Sequence, residues 1–157
     1  MLSSDLLEKQ FGPTRLVILR QDVQHRIIKT ISVNSGKVLE LSLVTFNANS
    51  AAVLPEVHQK IRLGSSMGKA YREAHIPFIR DVQSITHSPL PPTLKSHFDQ
   101  PGSATIIDVD IYVGKARTHY CHILEIYNAA VRWPADSTQS SPVIVDELDI
   151  FEKLMTL

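Results

Sequence analysis

The apolar and polar positions of this chain alternate over several short runs, and two residues per repeat is the period of a β-strand, whose neighbouring side chains point to opposite faces. The longest run is Thr118 to Trp133, THYCHILEIYNAAVRW. Read as a strand, it puts Arg117, His119, Cys121, Ile123, Glu125 and Tyr127 on one face and Tyr120, His122, Leu124 and Ile126 on the other. Further β-rich runs are Arg15–Gln21, His25–Val33, Lys37–Asn47, Ile76–Thr86 and Ala104–Tyr112. The second and third flank Asn34-Ser35-Gly36, a hairpin signal. In Lys37–Asn47, Val38, Glu40, Ser42, Val44 and Phe46 share one face, and Leu39, Leu41, Leu43 and Thr45 the other, expected to pack on helices.

Helical spacing is found in four places. Residues 3–11 follow a serine cap and end at Gly12-Pro13. Pro55 opens PEVHQKIRLG, which Gly64 can stop. Ser65-Ser66-Met67-Gly68 introduces a helix over Lys69–Ala74, and Val143–Leu157 reads as a short extended piece followed by a terminal helix. Residues 87–103 hold four prolines and read as a long loop with one helical turn near Pro92–Phe98, either a lid or a solvated connection. Residues 134–142, PADSTQSSP, read as a polar linker. Runs of strands with helices inserted together and at the ends predict an α+β fold, 1–157 forming a single domain. Most links between strands are too short for crossovers, so the sheet is expected to be mainly antiparallel.

Composition narrows the function class. Sixteen basic and sixteen acidic residues cancel, so nothing global steers the chain to nucleic acid or a lipid surface. The single cysteine, Cys121, excludes an internal disulfide framework and a thiolate-rich zinc site. MLSSDLLEKQ carries charge early and lacks an apolar run, and no segment approaches a membrane span, so a cytoplasmic location is expected.

The candidate chemistry is sparse. Glu125 lies between Leu124 and Ile126, and an ionised carboxylate in an apolar strand needs a partner, water or a pocket. Arg80, between Ile79 and Asp81, is either a clamp for a ligand carboxylate or a structural partner of Asp81 or Glu125. Arg26 and Arg117 are further basic candidates, Arg117 on the Glu125 face. Gly64 to Lys69 lacks phosphate-loop spacing, although a glycine before a helix lets backbone N–H groups face an anion. His119 and His122, three apart on a strand, should point to opposite faces, so no metal site is expected.

Four short stretches, in order, resemble the chorismate lyase family and, more distantly, the ligand-binding domain attached to GntR-type regulators. The hairpin about Asn34-Ser35-Gly36 resembles that family's central hairpin. Ser66-Met67-Gly68-Lys69-Ala70 resembles its P-L-G-(R/K)-x-L helix start, Phe78-Ile79-Arg80-Asp81-Val82 its TRDFIEI-like strand, and Leu124-Glu125-Ile126-Tyr127 its terminal TELF strand. The resemblance runs from Thr14 to Val131. It implies a six-stranded antiparallel sheet with helices packed on one face around a small pocket. It implies a lyase that removes pyruvate from chorismate to leave 4-hydroxybenzoate, without a cofactor. Glu125 would match the pocket glutamate and act as acid/base, and the Met67 N–H, beside Gly68, would match a carboxylate donor. Ile28 stands where the family has an arginine, so another cation must take the carboxylate: Arg80 first, then Arg26, with Arg117 on the same pocket face as Glu125. The alternative is a non-catalytic or redirected member of the fold that takes another small aromatic carboxylic acid. Oligomeric state stays open.

Overall fold

A computed structural model describes residues 3–98, 103–133 and 143–156. In chain order the elements are α1 (Ser3–Phe11), β1 (Thr14–Gln21), β2 (His25–Ser32), β3 (Val38–Phe46), α2 (Ser50–Val53), α3 (Pro55–Arg62), α4 (Met67–Glu73), β4 (Phe78–Ser88), α5 (Pro92–Lys95), β5 (Ala104–Val113), β6 (Thr118–Tyr127) and α6 (Val143–Thr156). The strands form one six-stranded sheet in the order β1-β2-β3-β6-β5-β4, and every pairing is antiparallel. The fold is α+β, as the alternation predicts. Two three-stranded meanders meet at the β3–β6 pair, so the strand bearing Glu125 lies at the centre of the sheet.

The sheet separates two apolar clusters. Leu6 and Leu7 of α1, Val57 and Ile61 of α3, and Ala70 and Tyr71 of α4 pack with Val44, Phe46, Val109, Ile111, Cys121 and Ile123 on one face. On the other face Ile27, Leu41, Leu43, Ile106, Leu124 and Ile126 pack with Leu94, Phe98, Leu148 and Phe151. The leucine face of β3 thus does pack on helices, α5 and α6, while the principal helical group α1, α3 and α4 covers the opposite face. Each fully buried Leu or Ile contributes about 1.5–3 kcal/mol of transfer free energy.

Local chemistry sets several boundaries. Pro55 occupies the first turn of α3, Val57 and Ile61 are buried one helical turn apart, and Gly64 follows at φ +116°, a conformation that favours glycine. β6 ends at Tyr127 instead of running to Trp133, because the Asn128 carboxamide accepts the Ala130 N–H at 2.9 Å and turns the chain. Residues 47–52, loop-like by sequence, include the start of the short α2. The chain from Val143 is helical rather than extended at first: its β-branched residues favour a strand, but Leu148 and Phe151 dock the helix on the sheet and tertiary packing prevails. The linker over 134–142 and the end of the proline-rich loop, 99–102, lie outside the described residues. The described part of that loop packs Leu90, Leu94 and Phe98 on the α6 side.

Four register breaks interrupt the sheet, the first skipping Leu19 of β1 opposite β2. The β3 register skips Leu39, which joins the α1 side although its neighbours Val38 and Leu41 lie opposite. The β6 register skips Tyr120, which joins Cys121 on the α1 side. The β4 register skips Gln83, opposite β5. One extra residue in one strand reverses the alternation beyond it.

Candidate functional site

Between the sheet and the α1–α3–α4 layer lies a cavity of about 690 Å³. Its floor is the even-numbered face of β2 and β3 with the matching face of β6: Arg26, Ile28, Thr30, Glu40, Ser42, Val44, Ile123 and Glu125. Its opposite wall is the turn from Leu63 to Ser66 and the first turn of α4. Of the residues singled out in the sequence, Glu125, Arg80, Arg26, Met67 and Gly68 all line it. Arg117 does not: it sits exposed in the β5–β6 turn at φ +52°, so strand alternation does not extend back to it.

Glu125 is nearly inaccessible, 3% exposed. Arg80 donates Nη2–H to its Oε1, and Tyr127 adds a second hydrogen bond. Burial pushes the Glu125 carboxyl up, and Arg80 and Tyr127 oppose that shift by favouring the charged form. Arg80 thus forms with Glu125 the ion pair that the sequence allowed as one of its two roles.

A second carboxyl lies beside this pair. Glu40 is 5% exposed, faces Tyr127 across the β3–β6 ladder, and accepts the Ser42 hydroxyl hydrogen. Ser42 in turn faces Glu125. Burial first, and the nearby charge of Glu125 second, push Glu40 up to about 8, so it holds a proton at neutral pH. Sequence reasoning did not select Glu40, although the same cue was there: an acid between Leu39 and Leu41, as Glu125 lies between Leu124 and Ile126.

Arg26 lies further along the same face, opposite Val44. It is fully buried. Its Nη1 donates to the Ile61 carbonyl at 2.5 Å and the Ser65 carbonyl at 3.3 Å, capping the end of α3 and holding the turn that roofs the cavity. Its Nε and Nη2 have no hydrogen-bond partner, and no carboxylate forms an ion pair with it among the described residues. Burial lowers its pKa to about 10, which leaves it charged at neutral pH.

The other titratable candidates lie elsewhere. Cys121 is buried and its thiol is pushed up by burial, so it is no ready nucleophile. The Tyr120 bulge corrects the expectation for the histidines: His119 and His122 do not diverge. Both meet Asp110, His119 Nε2 at 2.8 Å and His122 Nδ1 at 3.0 Å, and His122 Nε2 lies 2.5 Å from Asp108. Burial works against charge on Asp110, but the two imidazoles outweigh it and lower its pKa. No group of three or more metal-ligating side chains is placed to hold an ion among the described residues, and no helix among them is long and apolar enough to cross a membrane.

No protein-family model matches the chain, and no curated protein matches it. Two solved structures are similar in outline. One is the ligand-binding domain of a protein described as a GntR-family transcriptional regulator from Bordetella bronchiseptica, with 8% identity and a TM-score of 0.48 over 81% of this chain and 87% of that one. The other is the C-terminal domain of Yurk from Bacillus subtilis, with 10% identity and a TM-score of 0.38 over 74% of this chain and 86% of that one. Neither likeness says what this cavity holds.

Proposed function

We propose that the cavity binds a small organic carboxylate, with Arg26 as its charged seat. The observation that carries this is a fully buried guanidinium, in the cavity floor, with two donor nitrogens unpartnered among the described residues. A buried charge without a counter-ion is costly, and a ligand carboxylate with its bidentate fit to guanidinium would offset much of that cost. Arg80 is the weaker choice for this role because Glu125 already occupies it. Ile28, Val44, Ile111 and Ile123 give the cavity an apolar stretch suited to a ring or an alkyl body.

A second reading is the lyase acting on chorismate, which the sequence resemblance suggests. Glu40 favours it: a carboxyl still protonated at neutral pH beside the Glu125–Arg80 pair is a proton donor inside the cavity, and loss of an enolpyruvyl ether needs one. In this reading Glu125 keeps the acid/base role through the pair it forms with Glu40, Arg26 holds a carboxylate, and Met67 and Gly68 flank it.

The test is calorimetric titration of the wild type with benzoate and 4-hydroxybenzoate, run beside chorismate incubation with detection of pyruvate. Binding that Arg26→Lys weakens about tenfold or more supports the seat. Pyruvate release that Glu125→Gln abolishes raises the lyase reading to first place. Absence of binding by any carboxylate refutes both.

A further inference from the structure

We propose that the ligand of this cavity is a zwitterion, its carboxylate seated at Arg26 and a cationic nitrogen seated at Glu40 and Ser42, with an apolar body between. This rests on the carboxylate-binding reading and adds to it the chemistry of the other end.

Among the described residues the cavity holds a cation without a carboxylate and a carboxyl without a cation. Arg26 lacks a carboxylate among the described residues. Glu40 lacks a cation of its own, because the guanidinium nearest to it, Arg80, forms its ion pair with Glu125. Two buried carboxyls thus share one arginine, and the second is pushed up to about 8 and stays protonated.

Arg26 and Glu40 do not neutralise each other because the sheet register keeps them apart. Arg26 is opposite Val44. Glu40 lies four residues back along β3, roughly 13 Å away at about 3.3 Å per residue. On this face Val44 and Ile123 stand level with Arg26, and the row between Arg26 and Glu40 is Ile28, Ser42 and Glu125. The floor therefore reads as a cation flanked by Val44 and Ile123, then Ile28 with Ser42 and the paired Glu125, then a carboxyl. A plain aromatic acid satisfies the first two positions and leaves the third as found. An ammonium or amidinium at the far end lets Glu40 ionise and become a partnered carboxylate, with a charge-assisted hydrogen bond in place of a neutral one. Ligand binding should then expel the Glu40 proton.

The experiment uses the whole chain and three probes at pH 7: 4-(aminomethyl)benzoate, 4-methylbenzoate and benzylamine. Calorimetry is run in two buffers of different ionisation enthalpy, which counts protons released per ligand bound. The expected result is that 4-(aminomethyl)benzoate binds about tenfold or more tightly than 4-methylbenzoate, with release of close to one proton, and that Glu40→Gln removes both the preference and the release. If Glu40→Gln fails to fold, the wild-type proton count decides. Equal or tighter binding of 4-methylbenzoate overturns the zwitterion while the carboxylate reading stands. A preference without proton release overturns Glu40 as the seat. Binding of benzylamine as tight as the amino acid overturns the part played by Arg26. If neither acid binds, the carboxylate reading falls and takes this inference with it.

Discussion

β3 and β6 run side by side at the centre of the sheet, and their alternate residues meet opposite conditions. On one face Leu41, Leu43, Leu124 and Ile126 pack against α5 and α6 with little space left between them. On the other, Glu40, Ser42 and Glu125 open on a cavity. The strands, the ladder and the burial are shared, so β-propensity does not distinguish the faces. The apolar face is stabilised by area removed from water. The polar face holds groups whose burial is unfavourable unless each finds a partner, and among the described residues Arg26 has no carboxylate and Glu40, held by Ser42, has no cation of its own. The first face maintains the fold, and the second carries the unmet demand that a ligand can satisfy.

The largest effect expected from breaking this comparison is at Arg80. Arg80→Met leaves Glu125 buried without its cation, which should cost about 3–5 kcal/mol in urea denaturation at neutral pH. Lowering the pH lets Glu125 take a proton and should recover part of the loss. A variant as stable as wild type at neutral pH would mean that water already solvates Glu125.

Ile126→Ala comes next, on the opposite face of the residue adjacent to Glu125. Its cost should be about 2–5 kcal/mol, independent of pH, with affinity for carboxylates unchanged. A tenfold fall in affinity would show that the two faces do not act separately.

The smallest effect sharpens the comparison through pH. Glu40 is raised from an ordinary 4.5 to about 8 in the fold. Between those values the folded chain keeps a proton that the unfolded chain has lost, so this contribution to stability is full below pH 4.5 and is lost as pH rises through 8. Glu40→Gln should flatten that decline and gain on wild type in alkaline solution. Ser42→Ala removes a donor that favours the ionised form and should move the decline to higher pH. Parallel stability curves for wild type and Glu40→Gln would contradict the buried, protonated carboxyl.

Much of this architecture is legible in local pattern, because strand alternation, the Asn34-Ser35-Gly36 turn and the Leu54-Pro55 helix start are all set by neighbouring residues. Glu125 stood out for the same reason. What stayed hidden is non-local. The bulges at Leu19, Leu39, Gln83 and Tyr120 leave no compositional trace, and the one at Tyr120 brings His119 and His122 together on Asp110. That Glu40 and Glu125 compete for one arginine depends on the pairing of β3 with β6, which lie far apart along the chain. That Arg26 has no carboxylate among the described residues depends on everything packed around it, and no window of sequence contains that. α6 misled in the opposite sense: local β-branching pointed to extended chain, and docking through Leu148 and Phe151 overrode it.

The most direct test of the central claim is nuclear magnetic resonance of isotope-labelled wild-type protein, following the Arg26 side-chain Nε–Hε resonance. The titrants are 4-hydroxybenzoate and 4-(aminomethyl)benzoate. The account predicts a saturable shift of that resonance with each acid, accompanied by the backbone amides of Gly64 to Gly68 across the cavity. An Arg26 resonance that stays in place while either acid saturates the protein, or no saturable binding of either acid, would contradict it.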